Sequence, residues 1–125
     1  MCKTPIAYLL HILEECNYIL SVVTDDLPMY QFFSDETLKR AVCRSLEIVG
    51  EVTKKIPADV KYQWSDIQWK HMAGMRDRLI HDYMGVNYLI VWDVAKNIIP
   101  KLQPQIEAVI EKEQSRRESC CVRYV

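Results

Sequence analysis

The sequence has no excess of either charge: 16 Lys and Arg stand against 17 Asp and Glu, for a net charge of -1. Indiscriminate nucleic-acid binders are strongly basic, because phosphate contacts dominate their affinity. Any nucleic-acid chemistry here must therefore use a local cationic site. The five cysteines (Cys2, Cys16, Cys43, Cys120 and Cys121) are odd in number and form no C-x-x-C pair. That pattern argues against a disulfide framework and against a zinc site. Free thiols suit a reducing compartment. No apolar stretch approaches a membrane span, and the longest plain run near the centre is only Tyr88-Leu89-Ile90-Val91-Trp92. The opening Met1-Cys2-Lys3-Thr4-Pro5, soon followed by His11, Glu14 and Glu15, does not read as a signal peptide. The expectation is a cytoplasmic protein with no membrane contact, no metal and no cofactor. Internal repeats, low-complexity linkers and period-two alternation are all missing, which leaves little room for a β fold.

What is present is helical spacing. The 125 residues, 50% hydrophobic and 26% charged, suit one globular domain. Thr4 and Pro5 can open a first helix reaching about Val23, with Ile6, Leu9, Leu10, Leu13, Cys16 and Leu20 on one stripe. Asp25-Asp26-Leu27-Pro28 ends it, and an aromatic link covers Met29 to Phe33. A second helix follows Ser34, with Asp35 and Glu36 in its first turn, and Pro57 stops it. A third begins at Ser65, where Ser65 and Gln68 form an S-x-x-Q capping box, and runs to about Met84, with Gly85 as its stop. Asn87 can cap a fourth, which Pro100 and Pro104 should kink or split. The predicted fold is an all-α, up-and-down four-helix bundle over residues 1–110, with a charged, frayed tail at 111–125. Gly50 and Gly74 interrupt helix interiors, so the second and third helices are expected to cross there.

One segment is dense in reactive side chains: Arg76-Asp77-Arg78-Leu79-Ile80-His81-Asp82-Tyr83. Arginine offers a fork of donors that fits a phosphate. Histidine moves protons near neutral pH, and a carboxylate beside it can orient the ring. On a regular helix Asp77 and His81 would touch, and Arg76 and Tyr83 would share a face. Arg76 and His81 would lie ~140° apart around the axis. Either the helix is irregular near its end, or two copies of the site converge; the small chain favours a homodimer with a shared cleft. On spacing alone, the same side chains also fit a solvated helix face carrying i,i+4 pairs.

Arg76…His81-x-Tyr83 resembles the R-x4-H-x-Y signature of HepT-like toxins, a branch of the HEPN superfamily of helical ribonucleases. Asp77 supplies the polar residue usual after the arginine. The resemblance extends through Ala41–Glu51, Ile67–Met75 and Gly85–Trp92, and covers roughly residues 35–105. It implies an endoribonuclease with Arg76 and His81 catalytic, cutting RNA to a 2′,3′-cyclic phosphate without a metal. It implies a homodimer encoded beside a minimal nucleotidyltransferase antitoxin, which silences it by transferring AMP to Tyr83. Asp77, Arg44 and Glu47 would support the site. Asn87 and Tyr88-Leu89-Ile90 depart mildly from the family's usual acidic stretch. The rival reading is a non-catalytic module that binds a nucleotide or docks onto a nucleotidyltransferase.

Other residues have plainer readings. Arg78 can pair with Asp82 or touch RNA. Arg40, Arg44, Glu47 and Glu51 can be a surface charge ladder. His11 and His71 read as ordinary helix residues. Trp64, Trp69 and Trp92 suit packing better than base stacking.

Overall fold

The computed structural model describes residues 5–81 and 85–123, with only the backbone for His81 and for 117–123. It is the expected helical bundle. Its helices are α1 (Pro5–Val22), α2 (Met29–Ser34), α3 (Glu36–Thr53), α4 (Ala58–Gln63), α5 (Trp69–Ala73), α6 (Met75–Leu79), α7 (Tyr88–Asp93) and α8 (Ile99–Arg123). A π turn at Val94–Ile98 joins α7 to α8. The four legs are α1, α3, the pair α5–α6, and the run α7–π–α8. α1 packs between α3 and α8, while α3 also meets α5, α6 and α7.

The α1 stripe read from the sequence is only partly the core: Leu9 and Cys16 are buried, Ile6, Leu13 and Leu20 are half-buried, and Leu10 is exposed. Leu9, Ile12, Cys16 and Ile19 of α1 are buried, as are Val42, Leu46 and Val49 of α3 and Ile99, Leu102, Ile106 and Val109 of α8. The aromatic link is the short helix α2, which buries Phe32 against Trp92 with ring centroids 5.1 Å apart. Trp69 is buried and its Nε1 donates to the carbonyl of Trp64 at 3.0 Å. Trp64 Nε1 donates in turn to Glu113 at 3.3 Å. The tryptophans are packing residues, as their positions suggested.

Local chemistry sets most helix ends. Asp35 caps α3, its carboxylate accepting from Leu38 N at 3.0 Å. Asn87 caps α7, its Oδ1 accepting from Leu89 N at 3.1 Å and Ile90 N at 3.4 Å. The N-cap expected at Thr4 lies outside the described residues. The last helix is split, though ahead of both prolines. Pro100 has no N–H to offer the carbonyl four residues back, Lys96, which lies inside the π turn. Pro104 sits within α8 without ending it. The irregular tail expected from residue 111 is instead a continuation of α8, and Glu113 is buried there beside Trp64.

The third helix differs most from expectation. The S-x-x-Q box does not form: Ser65 lies in a turn, and Gln68 precedes α5 without a side-chain capping bond. The helix then breaks at Gly74, whose φ of -85° and ψ of 7° leave the α region between α5 and α6. The crossing expected at the two glycines forms at one of them. A Cβ on Gly50 would stand 3.0 Å from the carbonyl oxygen of Met72 and 3.3 Å from Met75 Cβ, so α3 meets the α5–α6 junction there. A Cβ on Gly74 would meet only carbonyls of its own helix, the nearest at 3.4 Å.

Two buried thiols give the fold a pH signature. Burial, with help from Glu15, pushes Cys16 up to about 12. Burial, with the Glu47 charge and a thiol hydrogen bond to Glu47 Oε1 at 3.6 Å, pushes Cys43 up to about 11. Above the ordinary thiol value of 9.0, the unfolded chain loses these protons while the folded chain keeps them. Stability should therefore fall as pH rises from 9.0 toward 11. Chemical denaturation at stepped pH measures that slope, and a flat profile across the window would contradict it.

Candidate functional site

Helix α6 ends at Leu79, and Ile80 is already extended at φ -107° and ψ 119°. The chain then turns back on itself. Strand β1 (Ile80–His81) pairs antiparallel with β2 (Gly85–Val86), with Ile80 opposite Val86 and His81 opposite Gly85. The sequence explains the change. Ile80 and Val86 are β-branched and pack partly buried against the core. Gly85 adopts φ 87°, which is easy for glycine and strained for other residues. Asn87 N–H donates to Leu79 O at 2.7 Å, taking the carbonyl that residue 83 would need if the helix went on. Gly85 is thus a ribbon residue and not the stop of a long helix.

The motif is therefore divided between two kinds of backbone. Arg76, Asp77 and Arg78 stand on α6, all exposed, while His81 stands on β1. The helical contact expected between Asp77 and His81 has no basis, because no helix joins them. The ~140° separation of Arg76 and His81 lapses for the same reason. Of the two ways out that the sequence left open, irregularity at the helix end is present in the single chain. The His81 side chain lies outside the described residues, as do Asp82 and Tyr83; so do the expected sharing of a face by Arg76 and Tyr83 and any pairing of Arg78 with Asp82. Among the described residues neither Arg76 nor Arg78 has an ion-pair or hydrogen-bond partner for its guanidinium.

The helix-α3 residues are placed separately. Arg44 Nη1 contacts Glu47 Oε2 at 3.2 Å, with Arg44 61% exposed and Glu47 19%. Glu47 lies one turn before Gly50, where α3 meets the junction that carries α6. Nothing among the described residues bonds this pair to Arg76. The rest of the ladder is local: Glu36 pairs with Lys39 at 2.9 Å and with Arg40 at 3.5 Å. Lys39 also donates to Phe33 O at 3.1 Å and lies 4.9 Å above the Tyr88 ring. It thereby ties α2 and α3 to the residue that follows the ribbon and Asn87. Lys101 went unmarked in the sequence and His71 was set aside, yet both line one groove with Arg78. Their separation along the chain gives no spacing signal that could have grouped them.

Comparison with known proteins places the chain by its sequence. The family profile described as Ribonuclease HepT-like matches residues 12–109. A protein of Caldanaerobacter subterraneus subsp. tengcongensis, called "Putative RNase", is 44% identical over 112 residues, covering 90% of this chain and 99% of its own. A "Putative RNase" of Methanocaldococcus jannaschii is 40% identical over 113 residues, covering 90% of this chain and 93% of its own. The "Probable ribonuclease HepT" of Thermococcus cleftensis is 38% identical over 95 residues, covering 76% of this chain and 86% of its own. No solved structure gives a significant match. With nearly the whole bundle matched and the Arg76–Tyr83 segment inside the matched range, this chain belongs to the HepT-like ribonuclease family.

Proposed function

We propose that the chain is the toxin of a toxin–antitoxin pair. It is a homodimeric endoribonuclease that needs no metal, and a companion nucleotidyltransferase silences it by transferring AMP to Tyr83. The family match over residues 12–109, with relatives named as ribonucleases, carries this proposal. The exposed Arg76, with no partner for its guanidinium among the described residues, supports it. An exposed arginine is accessible to an incoming phosphate.

His81 takes the proton of a ribose 2′-hydroxyl, and the 2′-oxygen attacks the adjacent phosphorus. The bond from phosphorus to the 5′-oxygen breaks, and that oxygen gains a proton from a second imidazole. In a two-fold dimer the second copy supplies it. Arg76 stabilises the charge that builds on the phosphoryl oxygens. The products are a 2′,3′-cyclic phosphate and a 5′-hydroxyl. Asp77, exposed beside Arg76 on α6, is the carboxylate that supports the site. The Arg44–Glu47 pair lies within α3, the helix that packs against α6. Silencing follows when the Tyr83 phenolic oxygen attacks the α-phosphorus of ATP, expelling pyrophosphate and releasing its proton. The bulky anionic product occupies the place of the RNA phosphate.

Expression of the chain alone in bacteria tests the proposal. Growth arrest with loss of RNA, relieved by His81→Ala, is the expected result. Normal growth with intact RNA and verified soluble protein would favour a binding module. Co-expression with the neighbouring nucleotidyltransferase should add AMP-sized mass to the Tyr83 peptide, and an adduct only elsewhere would overturn that part.

A further inference from the structure

Arg76 and Arg78 leave α6 ~200° apart, on opposite sides of the helix. On the Arg78 side a groove of about 660 Å³ opens between α5–α6 and the last helical leg. That volume falls within the range of small-ligand sites. Three features of its lining bear on what it can hold. Arg78 and Lys101 face it from two different legs and are both exposed. Neither has a side-chain partner among the described residues. Below them the wall is apolar, made by the buried Met72, Met75 and Leu102. Beside that wall stand the amides Gln68, Asn97 and Gln105.

The third feature is backbone. Asn97 and Ile98 reach the groove from the π turn at Val94–Ile98. A π turn widens a helix locally and occurs often where side chains must be re-aimed at a site. His71 adds a third protonatable nitrogen group to the lining, and Asp66 is its carboxylate. Two fixed cations, an apolar wall and several amides match the parts of a nucleotide. The phosphate suits Arg78 and Lys101. A base face suits the methionines, and a base edge suits the amides.

We infer that this groove seats one nucleotide of the RNA strand, on the far side of α6 from the phosphate held by Arg76. The inference rests on the ribonuclease proposal for the RNA as occupant. The two places are separated by about the width of one short helix, ~10 Å. The groove is then a subsite beside the cut that selects the neighbouring nucleotide, while Arg76 and His81 act on the bond.

The test measures binding apart from cleavage, with a short fluorescent single-stranded RNA and His81→Ala protein. Added Arg78→Ala or Lys101→Ala should each weaken binding roughly tenfold. Each should also lower the slope of log K against log salt by about 0.7, the value for one single-strand phosphate contact. Asn97→Ala should alter the preference among homopolymer RNAs and leave that slope unchanged. Lys54→Ala, an exposed lysine outside the groove lining, is the control and should change binding less than about twofold. If the wild type cuts RNA while Arg78→Ala and Lys101→Ala bind like their parent, the groove inference fails and the nuclease stands. If the wild type cuts nothing, yet binding falls in both variants, the groove stands and the nuclease fails. An RNA bound by none of the proteins overturns the groove directly.

Discussion

Arg76→Ala and His81→Ala should each lower the RNA cleavage rate by roughly 10²–10⁴-fold in a purified assay, with the fold intact. The expectation of an intact fold follows from position. Arg76 is exposed and holds no ion pair among the described residues, so truncation opens no cavity and strands no charge. His81 is held by backbone pairing opposite Gly85, which alanine can also make. Arg76→Lys should recover only part of the rate, because a point charge cannot make the two-pronged contact with a phosphate. Circular dichroism and melting temperature check the fold, and end-group analysis of the RNA checks for the cyclic phosphate. Full activity in His81→Ala would remove the histidine from the mechanism.

The second large effect concerns stability and sits at Gly50. Alanine there would put a methyl 3.0 Å from a backbone carbonyl, that of Met72, which cannot swing away as a side chain can. Overpacking of this kind costs about 1–3 kcal/mol. Better helix propensity returns about 1 kcal/mol. The net loss, about 0–2 kcal/mol, should lower the melting temperature by up to about 8 °C. Gly50→Leu has far more bulk to place and should yield no soluble folded protein. Gly74→Ala is the contrast. Its new methyl would meet nothing nearer than 3.4 Å, at a backbone angle any residue adopts, so the melting temperature should move by only about 2 °C. Thermal melts of the three variants decide this, and equal losses at Gly50→Ala and Gly74→Ala would mean that the close contact at Gly50 is not what sets the cost.

The contrast also shows what the sequence can and cannot specify. Both glycines interrupt helical patterns, and from spacing they are equivalent. Only the approach of α3 tells them apart, and that approach is tertiary. The α1 stripe was legible in part: Leu9 and Cys16 repeat with the helix and are buried, but the buried face also runs through Ile12 and Ile19 and leaves Leu10 exposed. Asp35 and Asn87 were legible because a cap acts within three residues. The end of α6 was not. Leu79-Ile80-His81 continues an acceptable helical pattern, and the choice of a ribbon depends on Gly85, Val86 and Asn87 closing back onto it. Arg76 and His81 were visible as residue types, whereas their division between α6 and β1 depended on that closure. The groove lining was hidden for a simpler reason: Arg78 and Lys101 share a groove only because two legs pack side by side.

The π turn at Val94–Ile98 has a meaning for how such chains diverge. A π turn holds one more residue than the α-helix around it can register. Deleting a single residue there would restore plain α geometry and leave both flanks in phase with the core. A one-residue length difference between relatives at this place would thus mark a change of helix type and not a loop of altered length. It would also withdraw Asn97 and Ile98 from the groove in one genetic step, while Val91 and Ile99, buried on either side, kept their places.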